Sequence, residues 1–213
     1  MFIYDFHFPY KNFRFPGQYT EEKILYVTRQ APIFYKLKIL AGILGFLLFD
    51  AIILFIINSV EIVSLNTIFT ILLLLLNLIA LPLIFYWVKN TFNKTLFIIT
   101  TKRLIQFVQT SPFTHFQLSL SLPQIVDTAA SRHNYFQSLF KIGNFFARSG
   151  AGAEGDFLVQ NIETHEDLHN YVNKMLSKYS QSKNKDKALD NFRPFIPKLK
   201  GKSREEFLKN KKY

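Results

Sequence analysis

Cysteine is absent from the 213 residues. That excludes disulfides, thiolate metal ligands and a cysteine nucleophile, and it suits the cytoplasm. Basic residues are missing from a long internal stretch: residues 39–88 contain no lysine or arginine and only two acids, Asp50 and Glu61. The opening MFIYDFHFPYKNF lacks a basic stretch followed by a short apolar run, so it does not read as a secretory signal. The first long apolar stretch begins near residue 39, too far in for an ordinary cleaved signal. Elsewhere bases dominate. Lys plus Arg number 26 against 15 Asp plus Glu, a net charge of +11, and 49% of residues are hydrophobic. That hydrophobic content excludes a wholly disordered chain, and the length allows one or two compact units. Residues 171–213 alone carry 13 bases against 4 acids. One soluble domain rarely segregates charge so sharply.

The apolar stretch divides in two. ILAGILGFLLFDAIILFII runs from Ile39 to Ile57, and IFTILLLLLNLIALPLIFYWV from Ile68 to Val88. Nineteen residues at about 1.5 Å each reach roughly 28 Å, close to a bilayer core of about 30 Å. The linker 58–67 is short, so the spans are expected to be antiparallel neighbours. Arg29, Lys36 and Lys38 precede the first span, Lys89, Lys94, Lys102 and Arg103 follow the second, and the linker carries Glu61 and no base. The positive-inside rule then predicts a multi-pass cell-membrane protein with both termini cytoplasmic. Tyr86 and Trp87 stand where an interfacial anchor is expected. Asp50 and Asn77 fall at similar depth, and an Asp–Asn hydrogen bond would reduce the cost of burying them, within one hairpin or between chains. Pro82 is expected to kink the second helix, and Gly42 and Gly45 offer a small-residue surface.

Before the spans, residues 1–38 read as a cytoplasmic arm containing one apolar strand near Ile24–Val27. Its Phe2, Phe6, Phe8, Phe13 and Phe15 suit either the membrane surface or packing on the domain. After Lys89 short strands are predicted at Thr95–Thr101, Arg103–Gln109, Phe113–Leu120, Thr128–Arg132, Ile142–Ala147 and Phe157–Ile162. In the third, Phe116, Leu118 and Leu120 alternate with polar residues. Phe136–Phe140 reads as a loop with bulky anchors and Ser149–Gly155 as a flexible turn. Thr164 is a good N-cap, with Glu166 and Asp167 in the first turn and Leu168, Val172, Met175 and Leu176 as the apolar stripe of a helix ending near Lys178.

Four segments then carry a likeness: TLFIITTKRLIQFVQ, LSLPQIVDTAASR, SLFKIGNFFARSGAG and FLVQNIETHEDLHNYV, with FPGQYTEEKILYVTRQAPI upstream. Over roughly residues 15–178 the chain resembles the bacterial PH-like domain family of membrane-anchored, YdbS/YdbT-like proteins. The resemblance implies Thr100-Thr101-Lys102-Arg103 as the first hairpin turn, Pro123-Gln124-Ile125-Val126 as the entry to the middle strand, and Gly143 in the strand after the loop. It implies a PH-like barrel with a C-terminal helix and oligomer formation. It carries no catalytic set and licenses no phosphoinositide binding.

Other chemistry is thinly signalled. His165-Glu166-Asp167-Leu168-His169 matches H-E-x-x-H, which on a helix places two histidines on one face for zinc with a glutamate base. No third ligand follows, and a solvated first helical turn accounts for the same residues. Ser149-Gly150-Ala151-Gly152 lacks the spacing of a phosphate loop and reads as a hairpin turn. His115 and His133 are isolated. In the basic tail, Lys198, Lys200, Lys202, Lys209, Lys211 and Lys212 are candidate contacts to anionic lipid headgroups. No folded module presents these bases to nucleic acid.

The expected architecture is a membrane-anchored α+β protein. It has an arm over 1–38, a transmembrane helical hairpin over 39–88 (39–57 and 68–88), a PH-like β-barrel or sheet with a C-terminal helix over 90–178, and a basic tail over 179–213. The expected role is a non-catalytic scaffold or protein-interaction module at the inner membrane surface, self-associating and without a cofactor. Its partners are the lipid bilayer and either a second copy or another membrane protein. The alternatives are an anionic-lipid-sensing domain and a zinc metallopeptidase using His165 and His169.

Overall fold

The two apolar runs fold as long helices, α1 (Pro32–Asn58) and α2 (Val63–Lys94). The computed structural model describes residues 14–59, 63–111, 113–150, 156–185 and 187–195. Both helices outrun the apolar stretches. Pro32 opens α1, where its missing N–H costs nothing and its fixed φ suits the first turn. At the other end of the pair, both the amide and the hydroxyl of Thr95 donate to the Thr91 carbonyl as α2 closes. Because α1 runs to Asn58 and α2 already begins at Val63, the helices take up six of the ten residues of the expected linker. α2 continues as helix through Pro82. A Cβ at Gly42 would meet Ile84 Cγ2 at 3.3 Å, so Gly42 marks a close approach of the pair, while a Cβ at Gly45 would meet no other part of the described residues within 4 Å.

Among the described residues, seven strands form two antiparallel sheets. The first has the order β1 (Ile24–Thr28), β2 (Leu96–Thr100), β3 (Arg103–Gln109), β4 (His115–Ser121). The second has β5 (Ile125–Ser131), β6 (Gly143–Ser149), β7 (Phe157–Ile162). A short 3-10 turn over Leu122–Gln124 carries the chain between them. The result is a mixed α+β fold in which two N-terminal apolar helices accompany two small sheets. Among the described residues the strands pair as these two sheets and not as one closed barrel.

The register of β1 changes the meaning of the segment before the helices. Thr28 faces Phe97 and Val27 faces Ile98, so β1 and β2 are hydrogen-bonded neighbours. The helical pair is therefore the connection between two adjacent antiparallel strands, and a boundary at residue 38 separates β1 from its own sheet. Phe15 also belongs here, packing with Val27, Leu96, Ile98 and Ile105. Phe2, Phe6, Phe8 and Phe13 lie outside the described residues.

The main core lies between the sheets and under α4 (His165–Gln181). Phe97, Phe145 and Phe157 meet there, and Leu168, Val172 and Met175 of α4 are fully buried, as the apolar stripe predicts. Part of the basic tail is core as well. Leu189 and Phe195 are buried, the Phe195 amide donates to the Leu25 carbonyl, and the Tyr171 hydroxyl donates to the Arg193 carbonyl. Residues 187–195 thus pack on the domain instead of trailing from it.

Three local expectations differ from the structure. Tyr135–Leu139 is a short helix, α3, not a loop. β4 buries only Leu120, leaving Phe116 and Leu118 exposed, because it is an edge strand with little packed against it. In the first turn of α4 Glu166 is exposed as expected, but His165 is buried.

Candidate functional site

Strand direction sorts the domain into two rims. α1 follows β1 and β2 follows α2, so the end of β1 and the start of β2 lie beside the helical pair. Antiparallel pairing then brings the end of β3 and the start of β4 to the same side, since Leu96 faces Phe107 and Gln109 faces His115. The second sheet joins this rim through a backbone bond: the amide of Ala31, the residue capping α1, donates to the Asn161 carbonyl at 2.7 Å. Asn161 sits at the end of β7, and Gly143 at the start of β6 faces Ile162. The β3–β4 turn, α3 and the β7–α4 corner therefore all lie on the helix-side rim.

Side chains brace this junction. Arg29 donates to Asn93 Oδ1 and lies over the Phe92 ring, which also contacts Tyr35. Gln137 Nε2 donates to Asn144 Oδ1 and Asn161 Oδ1, and Gln137 Oε1 accepts from the His133 amide. α3 is thus tied to the same Asn161 whose carbonyl receives α1. The left-handed conformation of Asn161 (φ 60°) is one that asparagine tolerates better than most residues.

The helical pair has a polar feature within it. Asp50 and Asn77 are each half-buried, and Oδ1 of each is shielded without a hydrogen-bond partner. Among the described residues no hydrogen bond joins the two. Lys198, Lys200, Lys202, Lys209, Lys211 and Lys212 lie outside the described residues, as does most of the Ser149–Gly155 turn.

The H-E-x-x-H segment is occupied by structural contacts. His165 Nε2 accepts from Arg132 Nε at 3.0 Å, and Arg132 Nη2 pairs with Glu166 Oε1 at 2.7 Å. Burial, then the adjoining Arg132 charge, holds the His165 imidazole below its ordinary pKa. A guanidinium against Nε2 opposes a cation at that nitrogen. His169 Nδ1 pairs with Thr128 Oγ1 and its Nε2 with Asn173 Nδ2, both at 3.1 Å. Among the described residues no group of three His, Asp or Glu side chains is placed to hold a metal. Gly143 makes room for this arrangement: a Cβ there would stand 2.4 Å from His165 Cδ2. Thr164 caps α4 by position only, its hydroxyl meeting that of Tyr26 at 3.3 Å.

The sequence did not reveal the network at the opposite rim. Buried Glu22 accepts from Arg103 Nε and Nη2 at 3.0 and 3.1 Å and from the Thr100 hydroxyl at 2.7 Å. Thr100 and Arg103 flank the first hairpin turn, and Glu22 lies just before β1, so this ion pair bolts the segment ahead of the helices to the segment after them.

No family model matches the chain. No curated protein matches it either. Among solved structures, a DUF1696 family protein with a pleckstrin-homology domain from Shewanella loihica PV-4 is similar over 39% of this chain and 68% of its own. The identity is 13% and the TM-score 0.29. An overlap of that size assigns neither ligand nor activity.

Proposed function

We propose that the chain is a non-catalytic PH-like module anchored in a bilayer by α1 and α2, with both flanks on the cytoplasmic face, and that it serves as a self-associating scaffold or protein-interaction unit. One observation carries the anchoring. The most apolar window of α1 has none of its residues buried within the chain, and that of α2 only 6%. Soluble monomers rarely expose an apolar patch of more than a few hundred Å². The pairing of β1 with β2 supports the topology independently of charge, because strands that share hydrogen bonds lie on one side of a membrane.

The absence of native cysteine makes the test direct. In intact cells, a Ser59→Cys variant should react with a membrane-impermeant maleimide, and a Ser180→Cys variant should react only after permeabilisation. Labelling of Ser180→Cys from outside would overturn the orientation.

Self-association draws support from the unpartnered oxygens of Asp50 and Asn77. In a twofold pair, rotation of the Asp50 side chain would bring its shielded Oδ1 to the outer face, where Asn77 Nδ2 of the other copy supplies the donor it lacks within one chain. Asn77→Leu should therefore weaken cross-linked dimer recovered from membranes several-fold, by about 1 kcal/mol per bond lost. Undiminished cross-linking would remove the polar pair from the contact.

A further inference from the structure

The polarity of α3 is inverted. Its one buried residue is Gln137, whereas Tyr135, Phe136 and Leu139 are 80%, 61% and 58% exposed, and Phe140 just after it is also exposed. A helix packed on a soluble domain does the opposite. The Gln137 hydrogen bonds to Asn144 and Asn161 hold the polar side inward and so turn the aromatic side out. The β3–β4 turn repeats the pattern, with Phe113 94% exposed at its tip.

We infer that these two loops form a second membrane contact, entering the interfacial zone of the leaflet from which α1 and α2 emerge. The inference rests on the reading of that pair as bilayer-spanning. Position argues for lipid as the occupant. Both loops lie on the rim that the helices leave, so a plane crossed by the helices meets both loops at once. The depth agrees. The 32 residues of α2 measure roughly 48 Å at about 1.5 Å each, little more than a bilayer of about 40–45 Å with its headgroups. The rim therefore stands at headgroup level. Thr110, in the β3–β4 turn, lines a cleft with Lys38, Trp87 and Val88, and Trp87 is about 10 Å of helix below Lys94. The turn reaches back toward the lipid.

Charge and backbone agree with this occupant. Residues 109–118 and 131–143 contain no acid, and exposed Lys141 follows α3, a composition that suits anionic headgroups. Both loops also satisfy backbone groups internally, which lowers the cost of leaving water. The amides of Phe140 and Ile142 donate to the carbonyls of Phe136 and Gln137, and the amides of Phe113 and Thr114 donate to Ser111 Oγ.

The test uses the full chain in vesicles of phosphatidylcholine and phosphatidylglycerol. Single variants Phe113→Cys, Tyr135→Cys, Phe136→Cys, Val126→Cys and Leu78→Cys carry the same fluorescent label. Quenching is read with lipids bearing a nitroxide near the headgroup or near the chain end. The labels at 113, 135 and 136 should be quenched by the shallow nitroxide, as expected about 5–10 Å into the headgroup and acyl boundary. The label at Val126, which is 74% exposed at the opposite rim, should not be quenched. The label at Leu78, inside α2, should be quenched by the deep nitroxide. If labels 113, 135 and 136 behave like the Val126 label while the Leu78 label is quenched, the inference fails and the hairpin stands. If the Leu78 label is not quenched, the hairpin reading fails and the inference with it. If the label at 136 is shielded from aqueous iodide but untouched by nitroxide lipid, a protein surface covers α3, and the inference fails.

Discussion

Arg103→Met should destabilise the folded domain by about 3–5 kcal/mol, the cost of stranding a buried charge. The Glu22 side chain is 0% exposed and that of Arg103 14%. The guanidinium binds the carboxylate through Nε and Nη2 and lies 4.6 Å from the Tyr19 ring centroid. Methionine fills part of the volume and, among the described residues, leaves Glu22 with the Thr100 hydroxyl and the Tyr19 amide as partners. Adding Glu22→Gln should recover part of the loss, because the stranded charge then disappears. The measurement is the urea midpoint of the full chain in detergent. Equal midpoints for the single variant and the parent would show that the ion pair contributes nothing.

The same pair sets an acid limit. Burial pushes the Glu22 carboxyl up, but hydrogen bonds from Arg103, Thr100 and the Tyr19 amide outweigh it and hold the group below its ordinary value of 4.5. The unfolded chain then takes up the proton first. Stability from this group is complete above 4.5 and drains away as pH falls toward the lower folded value. In Arg103→Met the guanidinium no longer opposes the effect of burial on Glu22. The folded state then binds the proton more readily, so acidification from neutrality should narrow the gap between variant and parent. His165 adds a separate loss common to both proteins. Its folded value is depressed from 6.5, so stability falls as pH drops below 6.5 toward that lower value.

These features differ in how far local sequence exposes them. The helices were readable because apolar length needs no partner to be recognised. Most strands were readable from β-branched runs between turn residues, and α4 from its stripe of Leu168, Val172 and Met175. What escaped depends on contacts across long separations. Glu22 and Arg103 lie 81 residues apart, with the whole helical pair between them, and no periodicity links them. Leu189 and Phe195 sit in a lysine-rich context that reads as solvated, although α4 and β1 supply their cover. Gly143 was visible as a residue in a strand, but its purpose, leaving space for the His165 ring, needs the fold. α3 misled for a related reason: its bulky residues read as the anchors of a loop, whereas the segment is a short helix, Gln137 is the anchor and the aromatics face outward.

Phe97→Ala should cost about 3–5 kcal/mol, the range for emptying an aromatic site in a core. Phe97 is 1% exposed and belongs to β2, yet its ring lies 5.9 Å from that of Phe145 on β6 and 5.4 Å from that of Phe157 on β7. Backbone pairing holds each sheet together separately, so this aromatic triad is a principal bond between them. The substitution should therefore act on both sheets. Amide exchange should accelerate in β6 and β7 as well as in β2, whereas a defect confined to one sheet would accelerate β2 alone. Phe113→Ala is the matched control, because the same truncation at a residue 94% exposed should change detergent stability by no more than about 0.5 kcal/mol. Equal losses from the two variants would mean that Phe113 packs against protein, and the division between a core aromatic set and a rim set would fail. A large loss at Phe97 with none at Phe113 fits a domain that keeps one group of phenylalanines for its own cohesion and leaves another free for a surface outside itself.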